Sequence, residues 1–91
     1  MSRDIHVDQE ELEKFVKILE DFQEFIQEQM KSLEQEWKPC DDSWQGDSKE
    51  RFSKDFTETL EDLKVAAKKG DDALEYLEKF YQVVKEMNEQ T

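Results

Sequence analysis

The sequence predicts an all-α fold: an antiparallel two-helix hairpin expected to dimerise into a four-helix bundle. Two long segments repeat apolar residues at steps of three and four, the period of a helix with one apolar side. Between them, Pro39-Cys40-Asp41-Asp42-Ser43-Trp44-Gln45-Gly46 holds the only proline and one of the two glycines, the composition of a bend. At 91 residues the chain is read as one domain, residues 1–91, near the size at which a single core is barely sufficient. Association with a partner is expected on size alone.

The first arm opens with a helix-start signal: Asp8 as N-cap, Glu11 as its capping-box partner, and Val7 placed to staple against Leu12. Residues 1–7 are expected to fray. Leu12, Phe15, Leu19, Phe22, Ile26, Met30, Leu33 and Trp37 then mark one stripe along a helix over 8–38. Pro39 disfavours helical geometry at Lys38, so residues 39–46 are read as the turn. The second helix is placed over 47–88, with Asp47 as cap and Glu50 behind it; Ser43 is an alternative cap for an earlier start. Its stripe runs through Phe52, Phe56, Leu60, Leu63, Ala67, Gly70, Leu74, Leu77, Tyr81 and Val84. Gly70, followed by Asp71 and Asp72, is a candidate break, but the stripe keeps its phase and an internal glycine costs only about 1 kcal/mol. Continuation is the favoured reading.

A second stripe runs beside the first. Ile18 and Phe25 carry it on the first arm, and Ala66, Ala73, Tyr76, Phe80, Val83 and Met87 carry it on the second. It either widens one intramolecular interface or calls for a further layer of helices, as in a dimeric bundle. At about 1.5 Å per residue the second arm is also the longer, which would set Asp8 opposite Leu77 and leave residues from Glu78 onward overhanging. Ile18, Phe25, Tyr76, Phe80, Tyr81, Val83 and Met87 are therefore the candidate partner-binding residues.

Composition excludes several functions. A formal charge of −12 disfavours nucleic acid and anionic lipid surfaces. No run is long and apolar enough for membrane insertion, and the N-terminus lacks the apolar core of a signal peptide. The chain is expected in the cytoplasm, with any secretion by a route that reads no cleavable signal. Cys40 and His6 are each alone, too few for a disulfide or a zinc site. Asp41, Ser43 and Gln45 superficially match the early ligands of an EF-hand loop, yet Phe52 stands where its closing glutamate belongs. The many carboxylates have no evident cleft to hold a reaction, and Cys40 has no basic neighbour closer than Lys38 to activate it. No catalytic residue, metal or cofactor is assigned.

A charged helical hairpin of about a hundred residues with Trp44-Gln45-Gly46 at its bend resembles the WXG family, the early-secreted-antigen-like proteins of bacterial type VII secretion. Phe52 sits where that family commonly has an apolar residue, and the hairpin covers nearly the whole chain. The resemblance implies a four-helix-bundle dimer, with itself or with a sister chain, serving as secreted substrate, escort of a larger effector, or part of the secretion complex with its ATPase. It also implies that Trp44 and Gly46 contribute to a composite export signal completed by a C-terminal Tyr-x-x-x-Asp/Glu. Here the sequence departs from the family: Phe80 follows Tyr76 at that spacing and Lys85 follows Tyr81, with Glu86 one place too far. That extra residue swings the acid about 140° away from the tyrosine. Two other readings stand beside this one, a cytoplasmic structural or adaptor bundle and a dedicated effector chaperone.

Overall fold

A computed structural model of the chain describes residues 7–89. Two helices, α1 (Gln9–Ser43) and α2 (Asp47–Glu89), lie side by side in a body of 67 × 21 × 14 Å. Asp8 caps α1 as expected: its backbone is extended and its side chain accepts the N–H of Glu11 at 3.1 Å. Glu10 and Glu11 in the first turn complement the positive end of the helix dipole. The frayed tail assigned to residues 1–7 lies outside the described residues except for Val7.

The end of α1 departs from expectation. Pro39 sits inside the helix, which continues past the predicted stop at 38 to Ser43. A proline there removes one backbone hydrogen bond and costs about 3 kcal/mol in a free helix. Contacts made beyond it favour the continuation. Lys49 of α2 pairs with Asp41 at 2.8 Å, the Ser43 hydroxyl donates to the Pro39 carbonyl at 3.0 Å, and the Trp44 N–H donates to the Cys40 carbonyl at 2.9 Å. Ser43 thus closes α1 and does not cap α2. Asp47 lies in the first turn of α2, and the residue ahead of it, Gly46, supplies the carbonyl that accepts from Lys49 and Glu50 at 3.1 and 3.3 Å. Asp41 and Ser43 are helical, so the superficial EF-hand match has no loop to occupy.

The register follows from the short link. Gln9 Oε1 accepts from Asn88 Nδ2 at 2.6 Å, Glu13 accepts from the Tyr81 hydroxyl at 3.0 Å, and Glu34 pairs with Lys64 at 2.9 Å. The start of α1 therefore lies beside residue 88 and not beside Leu77, and the predicted overhang beyond Glu78 does not exist. Extending α1 to Ser43 and shrinking the turn to Trp44–Gly46 slides the far end of α2 back along its neighbour. Val84, only 4% exposed, packs with Leu12 and Val16, and Leu74, Leu77, Phe80 and Tyr81 lie against them. Gly70 lies within one unbroken α2.

Two carboxyl groups, Glu20 and Glu78, meet across this seam. The Glu78 carboxyl is raised above its ordinary value, first by a hydrogen bond with Glu20, then by desolvation and by repulsion from Glu20 and Glu75. A raised carboxyl binds its proton more tightly in the fold than in the unfolded chain, so its stabilisation is present at low pH and lost as pH rises through the folded value. The hairpin is expected to melt higher just above pH 4.5 than at pH 7, and Glu78→Gln to flatten that difference in melts followed by circular dichroism across the range. Replacing Pro39 with Ala restores a backbone hydrogen bond at an exposed position. It is expected to stabilise the hairpin by about 1–2 kcal/mol, after about 1 kcal/mol is subtracted for the freer unfolded chain, as read by urea denaturation.

Candidate functional site

Each helix turns one apolar flank to its neighbour and leaves another bare. On α1, Leu12, Val16 and Gln23 are buried, and Leu19, Ile26, Met30 and Trp37 are half-buried. Phe15, Ile18, Phe22 and Phe25 are between 53% and 65% exposed, and Leu33 is exposed with them. The single stripe predicted for α1 is therefore split. Its members Phe15, Phe22 and Leu33 point outward, and Val16 and Gln23, absent from that stripe, take inward places. At about 100° per residue, the two sets occupy flanks roughly a quarter-turn apart.

The polar contacts settle which flanks share a side. Glu13, Gln27 and Glu34 of α1 reach Tyr81, Asp71 and Lys64 of α2, so these flanks form one edge of the hairpin. Phe15, Ile18, Phe22 and Phe25 lie on the other flank of α1, and Tyr76, Val83 and Met87, all exposed, lie on the other flank of α2. Because antiparallel helices reverse their sense of rotation, these flanks face the same way. The hairpin has one broad apolar face and one polar edge. Of the seven predicted partner-binding residues, Ile18, Phe25, Tyr76, Val83 and Met87 are exposed on this face. Phe80 and Tyr81 are half-buried against the intramolecular core, with the Tyr81 hydroxyl engaged by Glu13. Phe15 and Phe22 belong to the face and were missed, because steps of three and four alone do not say which of two adjacent stripes turns inward.

At the turn, four aromatic rings gather. Trp37 stacks at tilted angles on Phe52 and Phe56 with centroids 5.2 and 5.4 Å apart, Phe52 and Phe56 lie 5.7 Å apart and nearly parallel, and Trp44 meets Phe52 at 5.8 Å and Trp37 edge-on at 6.3 Å. Such pairs add about 0.5–1.5 kcal/mol each beyond their buried area. Trp44 closes the end of the hairpin yet remains about a third open to solvent, at 38%. Gly46 has φ +113°, a conformation that disfavours any side chain, while a Cβ built there would meet nothing within 4 Å. Its role is conformational. Close helix approach occurs instead at Gly70.

A protein-family model described as "Proteins of 100 residues with WXG" matches residues 4–79. The chain belongs to this WXG100 family. Membership agrees with the hairpin and with Trp44-Gln45-Gly46 at its bend, and it implies association with type VII secretion. The WXG100 match stops at residue 79, short of Tyr81, Val84 and the end of α2. Comparison with curated proteins and with solved structures returns no match. Among the described residues, no helix is long and apolar enough to cross a membrane.

Because Gly46 is required by its backbone angle, Gly46→Ala is expected to cost about 1–2 kcal/mol. Chemical denaturation of the purified variant measures it, with far-ultraviolet circular dichroism confirming that both helices persist.

Proposed function

We propose that this WXG100 hairpin works in type VII secretion by docking its apolar face onto a second WXG100-type hairpin, its own copy or a sister chain, to form a four-helix bundle. It travels in that form as a secreted substrate or as escort of a larger effector. The observation that carries this reading is the exposed row of Phe15, Ile18, Phe22 and Phe25 on one side of a hairpin with little interior of its own. Among the described residues only Leu12, Val16, Leu60, Ala67 and Val84 form its buried apolar core. A face of four large apolar side chains on so small a body favours helix-in-groove association. Trp44, part-exposed at the turn, is the proposed contact for the secretion ATPase. The reading involves no cofactor, nucleic acid or membrane insertion.

A second reading, a retained cytoplasmic adaptor or effector chaperone, draws support from the far end of α2. There Tyr81 has no acid at the spacing of the export signal, and its hydroxyl is engaged by Glu13.

Burying one phenylalanine contributes about 1.5–3 kcal/mol, so Phe25→Ala is expected to weaken self- or partner-association by about tenfold to a hundredfold. Phe22→Glu with Phe25→Glu should abolish it while leaving helix content unchanged. Sedimentation equilibrium, of the chain alone and with a co-expressed sister hairpin, reads the association. Blotting of culture medium from cells with and without the secretion ATPase reads export. A chain that stays monomeric under both conditions removes the bundle, and retention in cells favours the adaptor.

A further inference from the structure

Between Phe15 and Ile26, the stripe that α1 turns toward α2 is not its most apolar one. The inward flank carries an amide, Gln23, between Leu19 and Ile26, while the outward flank carries Phe15, Ile18, Phe22 and Phe25. Over this stretch apolar burial, which scales with area, would by itself favour the phenylalanines inward. A directional interaction opposes that rotation at mid-helix. Gln23 is 7% exposed, and its Nε2 donates to the Ala67 carbonyl at 3.0 Å and to Asp71 Oδ1 at 2.9 Å. Gln27 Nε2 donates to the other oxygen of Asp71 at 2.7 Å. The space for Gln23 exists because residue 70 is glycine. A Cβ there would lie 2.8 Å from Gln23 Cδ and Nε2 and closer still to Oε1.

We infer that Gln23, seated over Gly70 and bonded to Ala67 and Asp71, selects which stripe of α1 faces α2 and so holds the phenylalanine stripe free. In a rotated packing the space over Gly70 loses its occupant, and both Asp71 oxygens lose their amide donors. A buried amide of this kind specifies register where apolar contacts, being non-directional, tolerate several. The selection acts within one chain and holds whatever occupies the free face. It assigns Gly70 a purpose distinct from breaking the helix.

The test places spin labels on exposed positions of the two helices, through Glu28→Cys and Lys69→Cys in a Cys40→Ser background, with the labelled chain diluted in unlabelled protein. Electron double resonance should give one narrow interhelix distance for this parent. Gln23→Leu is expected to add a second distance population of comparable weight with helix content unchanged. Gly70→Ala with Gln23→Ala, which fills the same space without an amide, should do likewise. A single unaltered distance in both variants overturns the inference. So does loss of helix content in Gln23→Leu, because the amide would then be holding the helices together and not choosing between stripes.

Discussion

Two helices lying side by side can each hide only one flank, and the register at which they meet decides everything left outside. In this chain the register is set at three places: the compact turn at Trp44–Gly46, the amide of Gln23 over Gly70, and the pairing of Gln9 with Asn88 at the open end. Moving α2 by the distance that separates Leu77 from Asn88 would unpair Tyr81 from Glu13 and Lys64 from Glu34. It would also withdraw Val84 from Leu12 and Val16. The apolar face lies on the flank that this packing leaves uncovered.

The polar edge complements that face. Its bonds, Glu34 with Lys64, Gln27 with Asp71 and Glu13 with Tyr81, are mostly solvent-exposed, so each contributes little to stability. Their sum orients the hairpin and not merely its strength. With a charge of −12 the chain carries self-repulsion along its whole length. Lys49 and Lys64 are both raised from their ordinary value, first through hydrogen bonds with Asp41 and Glu34, so the ties of α2 to α1 favour the charged cations. At the turn, aromatic packing supplies what a proline-interrupted helix end lacks. Trp37, Phe52 and Phe56 give Trp44 a fixed seat, which keeps its open edge in one orientation.

Much of this was legible in local chemistry. The Asp8 cap, the helical period of both arms, the bend around Trp44 and Gly46, and the unbroken α2 depend on residues within a turn or two of one another. The path through Pro39 was not legible, because the contacts around the continued helix end include a pairing of Asp41 with Lys49, which lies beyond the bend. The inward placement of Gln23 was equally hidden. A glutamine in an amphipathic pattern reads as surface unless the glycine opposite it is known.

The sequence by itself determined that this is a two-helix hairpin with a Trp-x-Gly bend, and it placed Ile18, Phe25, Tyr76, Val83 and Met87 on a stripe separate from the core. These are consequences of periodicity and of residues adjacent along the chain. Only the tertiary structure decided which stripe of α1 turns inward, that Phe15 and Phe22 join the free face, and that Phe80 and Tyr81 are largely spent within the hairpin. Those outcomes depend on interhelix register, which arises from contacts between residues some tens of positions apart, such as Gln23 with Ala67 and Gln9 with Asn88, and no local pattern encodes it.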